Sequence, residues 1–487
     1  MKLKPFFTFC LLTMTLLGFS QKISVSYSTA SSALPFTGKV LLYLSKDNKN
    51  PNDGMVGIAS FPCFAIDVKN VKPGDKVIFD DKAVSYPTAL SDLERGKYYV
   101  QAVWDRNLGG RAISESPGNM YNESTLCDFT KDYAKTFAIS CDKTNAEPTF
   151  KETQFLKEAK VPSALLTAFY QRATTLDGAV MLPEAYYKQP NRKFPVLFKI
   201  GGFGNDYHHF SGNEKIKSQP IDTTACIQVF LGANCPLGHA VYANSDNNGP
   251  WGDAMVKELI PAIEKQYRCN GARLLTGHSS GGWTVLWLQT QYPDTFAGCW
   301  SSAPDPVDFR NFQQVDLYKD SNMFYDKDGG LRSVATVAGR FPWATMKTIY
   351  QMENVVYRGE QIHSFDAVFS AKNPDGNPRR LCDASTGAID ATTVEHWKKY
   401  DISLNLRTNW DKLKPSLDGK ILISVGEQDN FLLNHAVHLL DGEMKKLQAN
   451  MAFRYYPGDH FTVFTPEYGK AGNLFLQERY LSFLKKQ

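Results

Sequence analysis

Beyond its first twenty residues the chain has no apolar run long enough to cross a bilayer as a helix, which excludes a bundle of membrane-spanning helices. No C-x-x-C pair offers zinc ligands. No acidic loop completes the EF-hand pattern, although DNNG (246–249), DPVD (305–308) and DKDG (326–329) hold fragments of one; all three read as solvated loops. Internal repeats and low-complexity tracts are missing, which excludes a repeat architecture. Neither sign of charge dominates. The net charge is +4 at pH 7, and Lys2 and Lys4 supply part of it, so nothing argues for a nucleic-acid partner. What is present is an ordinary globular composition, 43% hydrophobic and 21% charged, over 487 residues, enough for two or three domains. Aromatic residues reach 13%, which leans toward carbohydrate or aromatic ligands.

Lys2 and Lys4 precede the apolar stretch FFTFCLLTMTLLGF, and Gly18 and Ser20 are small residues placed for cleavage before Gln21. Residues 1–20 therefore read as a secretory signal peptide, and the protein as secreted or periplasmic. The apolar run is too short to favour a membrane anchor. Eight cysteines remain: Cys63, Cys127, Cys141, Cys226, Cys235, Cys269, Cys299 and Cys382. An even number in an exported chain suggests disulfides, with Cys226/Cys235 and Cys127/Cys141 as the local pairs; buried free thiols are the alternative.

Residues 21–145 read as a small β-sandwich. KVLLYLS, VKPGDKVIF and GKYYVQAVW carry β-branched and aromatic residues between Gly, Pro, Asn and Asp turns. The polar stretch 142–154 marks a boundary. From 160 to 487 the texture is that of an α/β domain. FPVLFKIGG and IQVFLGANC are buried-strand runs, and WGDAMVKELIPAIEKQY and GWTVLWLQTQYP are helical, so strands and helices alternate as in a doubly wound, mostly parallel sheet. Pro261 should kink the first of those helices. Residues 305–410 interrupt the alternation, with helices expected near VATVAGRFPWATMKTIYQM and TVEHWKKYD. They enter after the strand-like FAGCWSSAP, at the carboxyl end of the sheet, and read as a cap-like insertion that sets substrate choice, with Phe341, Trp343 and Trp397 as candidate contacts. A surface elaboration or an oligomer contact is the alternative.

The stretch LLTGHSSGGW (274–283) carries the chemistry. Strand, tight turn and helix frame Gly277-His278-Ser279-Ser280-Gly281, a G-x-S-x-G nucleophile elbow with Ser279 at its apex. A serine hydroxyl needs a base, and the base needs an orienting carboxylate, in the order Ser, Asp or Glu, His. GKILISVGEQD ends a strand at Asp429, and MAFRYYPGDHF ends another at His460. Glu427 is the rival to Asp429. His435 and His438 sit in an apparent helix, and Asp459 adjoins His460 but points elsewhere. Backbone N–H groups of Ser280 and, after the glycines 201–204, of Phe203 are the expected oxyanion donors. His208 and His209 follow that loop and are candidates for the substrate entrance. Asp253 reads as a helix N-terminal charge.

From about residue 165 onward the chain resembles the putative-esterase group of α/β-hydrolases, which includes esterase D, the feruloyl and acetylxylan esterases of carbohydrate esterase family 1, and enterochelin esterases. The matching pieces are VMLPEAYY…KFPVLFKIGGFG, NGPWGDAMVKELIPAIEKQYR, LLTGHSSGGW, GEQD and GDH. The resemblance implies Ser279, Asp429 and His460 as triad. That group often has His-Gly after the first central strand, where this chain has Gly201-Gly202. A sandwich ahead of the esterase domain is similar to the enterochelin-esterase arrangement.

The expectation is a serine carboxylic ester hydrolase that needs no metal or organic cofactor and acts on a small-molecule or glycan ester, of carbohydrate or siderophore type. The rivals are a serine peptidase with the same triad and a non-catalytic binding protein on a hydrolase scaffold.

Overall fold

The computed structural model describes residues 21–53, 62–107, 112–130 and 136–487; the leader expected at 1–20 lies outside the described residues. The N-terminal strands form two sheets. One joins Lys22–Tyr27 to Val77–Phe79 and Thr136–Cys141, and the other is built on Phe36–Ser45, Cys63–Val71 and Lys97–Asp105. Val25, Tyr27 and Phe79 from the first meet Leu42, Phe64 and Trp104 from the second in one apolar layer. Alternation along Phe36–Ser45 breaks down at its end, where consecutive residues are buried. The reason is a second cover. Leu41, Tyr43, Cys63 and Val103, on the outer face, pack against Met352, Val355 and Val356 of a helix in the insertion. Just beyond that helix the buried Arg358 guanidinium makes a two-pronged ion pair with buried Asp105, its Nη2 2.8 Å from Oδ1.

The second domain is an eight-stranded sheet. In chain order its strands are β1 (Leu156–Pro162), β2 (Thr175–Met181), β3 (Phe194–Ile200), β4 (Ile227–Leu231), β5 (Cys269–His278), β6 (Gly298–Ser302), β7 (Ile421–Gly426) and β8 (Ala452–Tyr456). Their spatial order is β1-β2-β4-β3-β5-β6-β7-β8, and β4 through β8 pair in parallel while β2 runs against both neighbours. Parallel strands of this kind are buried on both faces, which is why β7 reads ILISVG without alternation. Among the described residues no helix is long and apolar enough to cross a membrane.

Three local expectations need correction. Pro261 does not simply kink its helix: the run Trp251–Gln266 widens into a π turn over Met255–Leu259 immediately before it. Proline has no N–H for the carbonyl four residues back and its ring crowds that carbonyl, and a π turn accommodates both. The stretch 333–352 is helical only in its second half. Ser333–Val337 and Phe341–Thr345 form a hairpin before the helix Met346–Val356 begins. Ala338 and Gly339 both take positive φ at its tip, with β-branched Thr336 and Val337 before them and aromatic Phe341 and Trp343 after them, a hairpin signal that outweighs helical spacing. Finally, all eight cysteines are free thiols. Cys226 faces Ser218 and Gln219 in one apolar cluster while Cys235 lies in another, and Cys141 faces the Ala102 carbonyl, so neither expected pair forms.

The insertion is packed, not draped. Phe309, Phe312, Phe365, Phe369 and Trp397 form its aromatic centre, and Trp283 and Trp287 of the helix Ser280–Gln291 pack at a tilt against Phe369 and Tyr400. It thus bridges the sandwich to the helix that follows the elbow. A polar groove of about 1070 Å³, lined by Lys39, Asp67, Tyr86, Arg379 and Arg380 among others, runs between sandwich and insertion.

Candidate active site

β5 delivers Ser279 into a turn with φ 60° and ψ −127°, a backbone conformation that L-residues avoid and that points the side chain away from the strand. The glycines around it are forced. A Cβ on Gly277 would lie 2.3 Å from the Gly281 carbonyl oxygen, and one on Gly281 would lie 2.2 Å from that of Ile200. Helix and strands therefore meet backbone to backbone. Ser280 opens the helix Ser280–Gln291, so its N–H has no carbonyl four residues back within the helix. At the end of β3, a Cβ on Gly202 would touch the Ser279 Cβ at 3.4 Å, which brings the Gly202–Phe203 peptide alongside Ser279.

The loop after β7 presents Asp429 and the loop after β8 presents His460; both are buried. Asp429 Oδ2 lies 2.7 Å from His460 Nδ1. Its other oxygen accepts the N–H groups of Phe431 and Leu433 at 2.9 and 3.4 Å, which fixes the carboxylate for the ring. Glu427 is engaged elsewhere, with His438 Nε2 at 3.0 Å, and Asp459 accepts the N–H groups of Phe461 and Thr462 in its own turn. Phe431 stands edge-on to His460 at 5.0 Å. On another side the His278 ring lies 4.4 Å away. Burial, with the neighbouring His460, pushes His278 down to about 3, which favours the neutral ring. Its Nδ1 meets Ser302 Oγ at 2.7 Å, and that hydroxyl meets Tyr468.

Sequence reasoning missed several groups. Asn430 ties the insertion to the His460 loop: its Oδ1 accepts the backbone N–H of His460 at 3.1 Å, its Nδ2 donates to the Thr336 carbonyl at 3.0 Å, and the Thr336 N–H donates to the Asn430 carbonyl at 2.7 Å. Thr336 belongs to the hairpin 333–345, which is therefore docked on the Asp429 loop. DPVD is not a solvated loop. Asp305 and Asp308 are both buried, one beside the elbow and the other paired with Arg310. DNNG is likewise no solvated loop, since Asn247 and Asn248 are buried. Ser280 Oγ donates to Asp305 Oδ2 at 2.6 Å and accepts from Gln361 Nε2, from the insertion, at 3.3 Å. The only sequence signal for Asp305 was its place three residues past the end of β6.

The remaining candidates scatter. His208 bonds Asp206 and packs on Tyr207 and Phe150 in the neighbourhood of β2, and His209 bonds the Asp206 carbonyl. Phe341 and Trp343 are 67% and 50% exposed on the docked hairpin. Trp397 cannot touch a substrate: it is 1% exposed and its indole N–H donates to Ser370, because it is the centre of the insertion's aromatic core. Asp253 takes Lys257 and Tyr292 as partners at its helix start. Glu353, Glu360 and His363 bring ligand atoms within 4.8 Å of one another, but Glu353 already accepts the N–H groups of Ile362 and His363 at the start of the helix Gln361–Phe369.

A mostly parallel sheet in this order, with the elbow after β5, an acid after β7 and a histidine after β8, defines an α/β-hydrolase. The family described as "Putative esterase" matches residues 173–470, more than half of the chain. The chain belongs to that family and is a carboxylic ester hydrolase. Solved structures similar to it include fungal esterases from Rhizomucor miehei (14% identity, covering 70% of this chain and 87% of that chain, TM-score 0.40). An S-formylglutathione hydrolase from Agrobacterium tumefaciens is similar at 13% identity, covering 68% of this chain and 96% of that one, with a TM-score of 0.38. The fluorophosphonate-binding serine hydrolase F of Staphylococcus aureus is similar at 13% identity, over 66% and 98%, with a TM-score of 0.39. A search of curated proteins found no match.

Proposed function

We propose that the protein hydrolyses esters through an acyl-enzyme on Ser279, with His460 as base and Asp429 as its orienter. Ser279 Oγ attacks the ester carbonyl carbon while His460 Nε2 takes its proton. The carbonyl oxygen becomes an oxyanion held by the Ser280 and Phe203 N–H groups. Collapse breaks the bond to the alcohol oxygen, which leaves with the proton from His460. Water then gives a proton to His460, attacks the acyl carbon, and releases the acid as Ser279 regains its hydrogen. Asp429 keeps the hydrogen of the imidazole on Nδ1, so that Nε2 is the basic nitrogen.

The observation that carries this reading is the buried Asp429–His460 pair at 2.7 Å, together with the positive φ of Ser279. An esterase is favoured over a binding protein because a buried carboxylate holds the His460 ring through Nδ1 beside a serine in a strained turn, an arrangement that ligand binding alone does not require. The exposed hairpin aromatics Phe341 and Trp343, anchored through Thr336 to the Asp429 loop, support a role for the insertion in substrate choice. Export is proposed from the leader alone, since the free thiols lend it nothing; a purified mature protein is then expected to start at Gln21.

A panel of aryl acetates, acetylated sugars, feruloyl esters, siderophore esters and peptide amides tests the reading. Turnover of esters that is lost in Ser279→Ala supports it. Cleavage of amides with no ester turnover would overturn it in favour of a peptidase.

A further inference from the structure

Asp305 is a second carboxylate at the nucleophile, and the mechanism above does not use it. It is 6% exposed and sits three residues after β6. Its backbone N–H reaches the Ser279 carbonyl at 3.3 Å, and its Oδ2 takes the Ser280 hydroxyl at 2.6 Å. The Ser280 hydroxyl is the hydrogen-bond donor to this carboxyl, and the neighbouring Ser279 also acts to lower its pKa. Burial pushes it up to about 6, against those serines and His460, which lower it, while Asp429 raises it further. The groups acting on it most strongly include no lysine or arginine. A buried anion without a cationic partner costs several kcal/mol, roughly, unless something compensates it.

Its position makes that cost matter to the reaction. The residue whose N–H faces the oxyanion, Ser280, is the one whose hydroxyl is bonded to Asp305. An ionised carboxylate there repels the negative charge that develops on the substrate oxygen. A cation brought by the substrate removes the repulsion and neutralises the buried charge in one step. Ser279 and Gln361 are only half-buried, so the opening that admits the ester also leads towards this carboxyl.

We infer that Asp305 is a specificity residue that binds a protonated amine carried by the substrate close to the scissile ester, as in an α-amino acyl ester. The inference rests on the acyl-enzyme reading above. The reach follows from the geometry. The carboxyl lies one hydroxyl away from the Ser280 N–H that holds the substrate oxygen, and its own N–H reaches the Ser279 carbonyl, so a group one bond from the carbonyl carbon is the part of the substrate nearest to it. A hydroxyl in the same place relieves no charge.

Three methyl esters that differ only in the α-substituent test this: alanine methyl ester (ammonium), methyl lactate (hydroxyl) and methyl isobutyrate (methyl). Their kcat/KM values are measured by pH-stat at pH 7 and divided by each ester's alkaline hydrolysis rate. The wild-type enzyme should prefer the ammonium ester over the isobutyrate by about 10- to 100-fold, the worth of a charge-assisted hydrogen bond. In Asp305→Asn that ratio should fall to near unity. Should the variant fail to fold, the wild-type ratio itself decides, because it should decline as pH drops below about 6 and Asp305 takes up a proton. An enzyme preparation of which an aliquot labels with fluorophosphonate, but whose unlabelled remainder treats the three alike, prefers the lactate, or hydrolyses none, overturns the assignment and leaves the esterase reading standing. A wild-type enzyme that neither labels nor turns over any ester removes both.

Discussion

Replacing Gly281 with alanine should damage catalysis more than stability. The added Cβ would lie 2.2 Å from the Ile200 carbonyl oxygen and 2.8 Å from that of Gly201. Carbon and oxygen normally approach to about 3.3 Å, so β3 and the elbow helix must part by roughly 1 Å. Both obstacles are backbone, so no side-chain rotation relieves them. Overpacking of this kind costs about 1–3 kcal/mol, which a chain of this size tolerates as a few degrees of Tm. The end of β3 is also where the Gly202–Phe203 peptide lies against Ser279. Moving it by about 1 Å moves an oxyanion donor relative to the nucleophile, and misplacements of that size cost about 100-fold in rate. Thermal unfolding by circular dichroism and kcat on an aryl acetate, normalised to sites titrated by fluorophosphonate, measure the two effects. A Gly281→Ala protein with wild-type kcat would refute the reasoning, and so would one with unchanged Tm.

Asp429→Asn should lower kcat by about 10⁴-fold with the fold intact, because an amide N–H facing Nδ1 selects the wrong imidazole tautomer; steady-state kinetics at matched Tm check it. Arg358→Ala should destabilise by about 3–5 kcal/mol, since it strands buried Asp105, and an unchanged urea midpoint would count against that. Unfolded without reductant, the protein should alkylate all eight of Cys63, Cys127, Cys141, Cys226, Cys235, Cys269, Cys299 and Cys382 in an intact-mass experiment, because all eight are free thiols; any pair that reacts only after reduction would contradict this.

The α/β sheet was legible because buried parallel strands are short apolar runs that end in functional loops, and three of those ends carried Ser279, Asp429 and His460. The hairpin at 333–345 was misread because VATVAG fits helical spacing as well as it fits a strand, and only the turn at Ala338–Gly339 separates the two. Trp397 was misassigned for a related reason: an aromatic residue in a polar stretch looks like a surface contact until the packing of Phe309, Phe312 and Phe369 around it is known. Asp305 and Asn430 were illegible, since their meaning lies in Ser280, Gln361, Thr336 and His460, brought in from distant parts of the chain. The cysteines misled because parity describes a count, whereas a disulfide requires a distance.

The central claim is that Ser279 is the nucleophile. Incubating the purified enzyme with a fluorophosphonate, digesting it and sequencing the modified peptide by mass spectrometry tests this most directly. A single adduct on Ser279, absent from Ser279→Ala and much slowed in His460→Ala, is the predicted result. Labelling at Ser280 instead, or undiminished labelling and turnover in Ser279→Ala, would contradict it.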